Sequence, residues 1–511
     1  MGDKYRGKFD QGWDAYREEI FARQKACGAI PQDAKLTPRP DAIAAWDTLS
    51  PEQKALYARM MEVYAGFVAH ADYEVGRVLA AIEELGLADD TLVIWVWSDN
   101  GASAEGGPDG TYNEMLMFNG VPTSFEQQTM AILAHGGPEA LGGPDMHNHY
   151  PVGWAWAGNT PLQWVKQVAS HFGGTRTPLA ISWPKRIAAR GEVRTQFHHV
   201  IDIYPTILEL AGLDTPDIVN GHDQSVVDGV SLVYSFADKD AEGRRTKQYF
   251  EMLGYRGMYH DGWMASGFTG RLPWEVAQNM LVPWNPDDDI WELYNIDKDF
   301  SQADDLAVKY PKKLQQLKDL WWSEAGRYNV LPLGATGSLF VEMLAERAKP
   351  RQEVFHGPVQ RIPESIAPDI KTRSHRATVS VEIPETGAEG VFYAMGGLSL
   401  YLKDGYVTYH YNFAGIKHTV IRSSRKLPAG RTDIKLDVTP VGLGPGVPAN
   451  VKLLFGEEEV GSGQVPNTAS FRFSIHETFN IGADLLTPVT SDYAVPFAFT
   501  GKIHRTIFDL R

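Results

Sequence analysis

The sequence is short of cysteine, with Cys27 standing alone among 511 residues. An intramolecular disulfide is therefore excluded, and cysteine usage gives no support for an oxidising compartment. No uninterrupted apolar run approaches the roughly 20 residues that cross a bilayer, so no membrane partner is expected. No basic-then-apolar leader opens the sequence either. The expected location is the cytoplasm by default, or the periplasm if a leader-bearing segment precedes Met1. Basic residues are outnumbered, 48 Lys and Arg against 64 Asp and Glu, for a net charge of −16. A nucleic-acid binder needs a basic face for the phosphate backbone, so nucleic acid is not expected as a partner. Internal repeats and low-complexity tracts are also missing.

What is present is ordinary globular composition, 43% hydrophobic and 22% charged, enough for several cores. Residues 1–49 are polar and carry Pro31, Pro38 and Pro40; they read as an ordered loop with a short helix. A strong helix follows. Ser50 is a good N-cap, Pro51 sits at the first helical position, Gln53 completes a capping box, and Gly86 suits the end. Residues 91–97 are continuously apolar, which predicts a strand buried on both faces, as in a parallel sheet under helices. A second such strand is predicted at 179–183, with a helix at about 199–211. This alternation argues an α/β domain.

Further along, 246–330 reads as a small α+β appendage: short strands at 248–252 and 257–264, then a helix at about 311–328. Residues 345–376, with Pro350, Pro358, Pro363 and Pro368, read as an extended connector. From about 377 the pattern has period two. Strands at 398–402 and 406–411 flank Lys403-Asp404-Gly405, a hairpin signal, and further strands are expected at 451–455, 469–475 and 502–510. Many short strands with turn signals predict a β-sandwich. The expected organisation is a core over 1–240, the α+β subdomain over 241–340, a linker over 341–376 and the sandwich over 377–511.

The chemistry is sought where the first strand ends. Ser98-Asp99-Asn100-Gly101 follow it directly, and ligands in α/β folds sit at strand ends. Asp99 and Asn100 offer a carboxylate and an amide oxygen, both hard donors suited to Ca²⁺ or Mg²⁺; Asp-Asn-Gly is also ordinary turn chemistry. Asn159-Thr160-Pro161 and Lys166 come next, then Gly173-Gly174-Thr175-Arg176-Thr177-Pro178 ahead of the second strand. A lysine before a glycine turn can present a point charge to an oxyanion, although a lone lysine is more often simply solvated. His147 and His149 lie in a Gly/Pro-rich loop and read as loop polar groups. Tyr406, Tyr409 and Tyr411 read first as sandwich packing, and as stacking platforms for a binding module only secondarily.

Taken together, the Ser98–Gly101 tetrapeptide, Glu105-Gly106-Gly107, the lysine and the Gly-Gly-Thr-Arg-Thr-Pro turn resemble the later part of the type I sulfatase core. Asp202 to Gly212 resembles a helix usual in that family, and Trp291 to Asp297 with Asp304 and Leu306 resembles its C-terminal subdomain. The likeness is greatest to long bacterial arylsulfatases that end in a β-sandwich. It implies an alkaline-phosphatase-like sulfatase core, here incomplete, that cleaves a small-molecule sulfate ester. In such a site Asp99 and Asn100 would ligate calcium, with Mg²⁺ as the alternative ion. Asp99 would also contact a hydrated formylglycine nucleophile, and Lys166 would hold a sulfate oxygen.

The formylglycine motif, C/S-x-P-x-R, has no match around Cys27, where Ala29 stands in the proline position and Pro31 in the arginine position. Cys27 reads instead as a small, at least half-buried residue. The literal match Ser182-Trp183-Pro184-Lys185-Arg186 is rejected because it lies in the second strand. Met1 to Arg6 reads like the middle of a polar loop. A truncated or split enzyme is therefore expected, lacking the nucleophile and inactive alone, whose partner would be a separate N-terminal sulfatase polypeptide. The alternatives are a degenerate non-catalytic homologue or binding module, and a phosphonate or phosphodiester hydrolase of the same superfamily.

Overall fold

The computed structural model describes residues 1–333 and 349–511, apart from 122, 276–278, 280, 281, 283, 372 and 443–445. The chain forms two compact units, Met1–Tyr112 with Thr129–Gly337, and Asn113–Gln128 with Ser338–Arg511.

In the first unit the opening segment is more helical than its sequence suggests. Helix α1, Gly12–Ala26, presents Trp13 to Trp46 and Trp154, with ring centroids 4.8 and 5.8 Å away in edge-on packing. Arg17, one turn further, is buried and pins distant loops. Its guanidinium donates to the carbonyls of Trp156 and Leu162, both at 2.8 Å, and to Thr37 Oγ1 at 2.7 Å. Burial pushes its pKa down to about 9, against a smaller opposing pull from the Asp14 carboxylate. Helix α2, Pro51–Glu84, starts on the expected capping box: Ser50 Oγ accepts from Gln53 N, and Gln53 Oε1 accepts from Ser50 N. Gly86 takes a left-handed φ of 69° just past its end. Only its first half is packed, from Leu56 to Glu62 and at Gly66.

Strands β1, Val93–Val96, and β2, Leu179–Ser182, form a two-stranded ladder. The pairing is antiparallel, with Val93 opposite Ser182 and Val96 opposite Leu179, which corrects the expectation of a parallel sheet. An apolar run reports how much cover a strand needs; its direction is set by the connection, and a long intervening stretch permits either. Nor are the strands buried on both faces: no residue of either is fully buried. Helix α3, Ile203–Ala211, follows. Strands β3–β6, Lys247–Met252, Tyr255–His260, Trp263–Phe268 and Ile290–Asn295, form one antiparallel sheet. Helix α4, Pro311–Arg327, packs on it through Leu317, Trp321 and Ala325 against Met258, Ala265 and Leu293. The expected α+β character of this region holds.

The second unit is a sandwich of two six-stranded antiparallel sheets. One runs, in spatial order, Val359–Pro363, Thr478–Ile481, Gly390–Met395, Leu398–Lys403, Tyr406–Phe413 and Lys417–Arg422. The other runs Glu458–Val465, Ala449–Phe455, Gly430–Pro440, His375–Ile383, Lys502–Leu510 and Arg351–Phe355. Asp404 and Gly405, at φ 54° and 83°, make the expected tight turn. Tyr409 and Tyr411 lie in the core between the sheets, and Tyr406 sits under the Arg422 guanidinium at 4.2 Å.

Three expectations fail here. The stretch read as a connector holds two strands, Arg351–Phe355 and Val359–Pro363, wherever it is described; residues 341–348 and 372 lie outside the described residues. Both are edge strands, where flanking prolines do no harm to a ladder. Residues 469–475 form no strand; Phe473 N donates to Glu364 Oε1 at 3.0 Å and Phe471 N to Asn119 Oδ1 at 2.9 Å instead. The second of these bonds also shows that 113–128, expected in the core, belongs to the sandwich unit. Among the described residues no helix is long and apolar enough to cross a membrane.

Candidate functional site

The antiparallel pairing decides where the candidate residues sit. The end of β1 and the start of β2 lie at the same end of the ladder, so the loop that leaves β1 meets the loop that enters β2. Trp97 N donates to Pro178 O at 3.0 Å, and Gly101 N donates to Gly174 O at 2.9 Å. The contact is so close that a Cβ on Gly101 would lie 1.6 Å from the Gly173 carbonyl oxygen.

The lysine loop is stitched to the same turn. Lys166 N donates to Ala102 O at 3.0 Å. Asn159 bridges both loops, its Oδ1 accepting from Ala102 N at 2.9 Å and its Nδ2 donating to Trp164 O at 3.0 Å. The Lys166 backbone is thus one hydrogen bond from a residue three positions after Asp99. Arg17 holds the far side of this loop through the Trp156 and Leu162 carbonyls.

These loops are also strained. Ser98 has φ 75°, and Trp164 and Gln167, either side of Lys166, have φ 66° and 78°. Left-handed backbone costs a non-glycine residue on the order of 1 kcal/mol and persists where the surroundings over-determine it, a pattern concentrated at functional sites. Three of the eleven such residues in the described chain fall in these two short loops.

Asp99 is exposed and Asn100 half-buried. Asn100 Nδ2 donates to Gly101 O at 2.8 Å, which ties the amide to the turn. Lys166 Nζ lies 2.7 Å from Glu105 Oε1; the lysine side chain is 37% exposed and the glutamate 7%. Glu105 is the residue whose role the sequence does not reveal. It belongs to the quoted motif, but nothing in the local pattern shows that its carboxylate is buried against the lysine. Asn159, likewise quoted without a role, proves to be the joint between the two loops.

Of the other candidates Ser182 separates from this cluster, whereas His149 lies beside Gly106, where an added Cβ would be 2.8 Å from its Nδ1. Ser182 pairs with Val93, at the opposite end of the ladder from Asp99, about 10 Å along three residue steps. Cys27 is exposed, not half-buried, because it sits at the solvent-facing end of α1. His149 Nδ1 lies 2.9 Å from Tyr150 O, and the His149 backbone bridges to Thr111.

As a calcium site the residues present go only part of the way. Asp99 and Asn100 supply two oxygens of the six to eight the ion takes. Among the described residues no three His, Cys, Asp or Glu side chains gather as a group able to hold a metal.

The ion pair makes one prediction. Lys166→Met leaves the Glu105 carboxylate buried without its cation and should cost about 1 kcal/mol, a value discounted for the lysine's exposure. Adding Glu105→Gln should recover most of it. Additive losses in urea unfolding of the double variant would show that the two side chains do not interact.

Fold and site define a mixed α/β core, with an acid, an amide and a lysine on two loops at one strand end, followed by an antiparallel sandwich. Residues 2–213 match the sulfatase family model, and residues 164–320 match the model for the C-terminal region of N-sulphoglucosamine sulphohydrolase. Over residues 2–320 the chain is thus similar to sulfatases. It is similar to an uncharacterized sulfatase of Schizosaccharomyces pombe, 29% identical over 332 residues, covering 62% of this chain and 53% of the relative. It is also similar to the arylsulfatase of Klebsiella aerogenes, 29% identical over 212 residues, covering 41% of this chain and 42% of the relative. The chain therefore spans about half the length of these two relatives. Among solved structures, one from work on glycosaminoglycan metabolism in Bacteroides thetaiotaomicron aligns with 18% identity and a TM-score of 0.32, over 50% of this chain and 42% of the other.

Proposed function

We propose that this chain carries the acid–amide–lysine part of a sulfuric ester hydrolase site, and that ester cleavage requires a nucleophile which residues 1–511 do not supply. Asp99 and Asn100 give two oxygens to a divalent cation, Ca²⁺ or Mg²⁺. The Lys166 ammonium has three N–H groups; Glu105 takes one, and the others face a sulfate oxygen, where a fixed positive charge stabilises the negative charge that grows on the departing group. A formylglycine supplied from outside residues 1–511 would complete the site. The observation that carries this reading is the stitching of the Asp-Asn-Gly turn to the lysine loop through Gly101, Ala102 and Asn159.

The test is a calcium titration of the full chain by calorimetry. With two side-chain donors, binding should be weak, around the millimolar end of calcium affinities, and Asp99→Ala should abolish it. Tight binding that survives Asp99→Ala would place the ion elsewhere. Turnover of p-nitrophenyl sulfate by this chain alone, at the rate of an ordinary sulfatase, would show that a nucleophile lies within it. Phosphate-ester turnover exceeding sulfate-ester turnover in a completed enzyme would favour the phosphodiester or phosphonate reading.

A further inference from the structure

The sandwich carries a pair of imidazoles on the side of a sheet that faces away from its core. Along the strand Tyr406–Phe413, Val407, Tyr409, Tyr411 and Phe413 point into the core, so Thr408, His410 and Asn412 lie on the outer face. The next strand, Lys417–Arg422, is an edge of that sheet. Its register sets Val420 opposite His410 and His418 opposite Asn412, which makes His410 and His418 diagonal neighbours on one face. His410 Nε2 lies 2.8 Å from His418 Nδ1, with the ring planes at 82°.

The two rings differ in cover. His410 is 5% exposed, because the segment at 489–493 lies over it. Asn412 Nδ2 donates to Val489 O at 3.4 Å, and Tyr493 Oη lies 3.0 Å from Oγ of Ser399, the residue opposite His410 on its other side. His418 is exposed at the edge. One ring is thus held by packing, and the other is free to adjust. A hydrogen bond between two ring nitrogens requires that one of them lacks a proton, so a lone pair is already present between the rings. Imidazole nitrogens bind a metal at about 2.0–2.1 Å. Two of them on one ion are therefore about 2.9 Å apart at a right angle and about 3.4 Å apart at the tetrahedral angle. The 2.8 Å separation matches the right-angled arrangement of Cu²⁺ or Ni²⁺ better than the tetrahedral one of Zn²⁺.

We infer that His410 and His418 form a binding site for a divalent transition-metal ion of square-planar or tetragonal preference, Cu²⁺ foremost, which staples the edge strand Lys417–Arg422 to its neighbour. Binding to two neutral rings releases no net proton: the shared proton moves to the far nitrogen of the ring that held it, and the exposed His418 ring swings until both lone pairs meet on the ion. Among the described residues no third His, Cys, Asp or Glu joins the pair. Asp492, on the covering segment, is held by Tyr401 Oη at 2.8 Å and Lys403 Nζ at 3.0 Å. Water fills the remaining positions from the exposed side. The inference is independent of the reading at Asp99 and Asn100, whose oxygens suit Ca²⁺ and not a nitrogen-seeking ion, so either can fail alone.

The experiment is a Cu²⁺ titration of the full chain, read by electron paramagnetic resonance and by the urea midpoint with and without the ion. The chain should bind copper with nitrogen hyperfine structure in the spectrum. The loaded chain should unfold at higher urea, because an ion that binds only the folded state stabilises it. His418→Ala, at an exposed position, should weaken copper binding about tenfold or more, since losing even a hydrogen-bond partner of a metal ligand costs that much. It should also abolish the copper-dependent shift in midpoint, while the metal-free variant still unfolds cooperatively. His147→Ala, which breaks the other closely spaced pair at an exposed position, should bind as the unaltered chain does. The inference is overturned if His418→Ala binds copper as tightly as the unaltered chain, if the spectrum and the midpoint shift are lost in His147→Ala instead, or if the unaltered chain binds copper no tighter than the millimolar range.

Discussion

Gly101→Ala should disconnect the two loops of the site and cost about 3 kcal/mol, the upper part of the range for overpacking. The added methyl would lie 1.6 Å from the Gly173 oxygen and 2.7 Å from its carbonyl carbon. Both are backbone atoms, so no side-chain rotation relieves the clash. The neighbouring backbone cannot yield easily, because a Cβ on Gly173 would itself lie 1.9 Å from Gln163 O, and one on Gly174 2.3 Å from Val168 O. The turns must part, and the Gly101 N to Gly174 O bond goes with them, which accounts for about 1 kcal/mol of the loss. Calcium affinity should fall with stability, although Gly101 contributes no ligand. Urea unfolding and calorimetry on the same variant test this. A Gly101→Ala protein with unchanged stability and unchanged calcium binding would mean that the Asp-Asn-Gly turn does not lean on the Gly-Gly turn.

Asp202→Asn should cost about 3–5 kcal/mol at neutral pH, the usual result of breaking a buried ion pair from one side. The carboxylate is fully buried and its partners surround it. His198 Nδ1 lies 2.8 Å from Oδ2, which accepts from His199 N at 3.0 Å and Arg245 Nε at 2.9 Å, while Oδ1 accepts from Val230 N at 2.7 Å and from Arg245 Nη2. An amide would turn an N–H toward one of these donors and leave the buried guanidinium without its counter-charge. Burial alone would raise the Asp202 pKa, but the hydrogen bonds from His198, Arg245 and the two backbone amides outweigh it and hold the carboxyl far below the ordinary carboxylate range. A depressed value means that the folded state gives up the proton more readily than the unfolded chain. The stabilisation is therefore complete above the unfolded value near pH 4 and is lost as the pH falls toward the folded value. Wild-type stability should fall between about pH 5 and pH 2 more steeply than that of the variant. Parallel curves would show that the Asp202 network carries no charge-dependent stability.

Local chemistry made much of the molecule readable. The start of α2 is set by Ser50, Pro51 and Gln53 within four residues, and the turn at Asp404-Gly405 by two residues that tolerate positive φ; such signals do not depend on anything distant. Period-two alternation announced the sandwich in the same way. What failed was non-local. The prolines around 350–363 looked like a connector because sequence does not show that the intervening strands lie at sheet edges. The 113–128 segment looked like core because nothing in it announces Asn119's bonds to Phe471 and Arg472, more than 350 residues away.

By itself the sequence determined the residue types of the candidate site: an acid and an amide after an apolar strand, a lysine, and a glycine turn before a second strand. Tertiary structure alone decided that the two strands run antiparallel, which brings those loops to one end of the ladder and leaves Ser182 at the other. It also decided that Glu105 is the buried partner of Lys166, and that the ladder and half of α2 stay uncovered. The physical reason is the same throughout. Spacing along a chain reports what a segment needs, a cap, a turn or cover for an apolar face, whereas partner, direction and remaining exposure depend on segments that sequence distance does not relate.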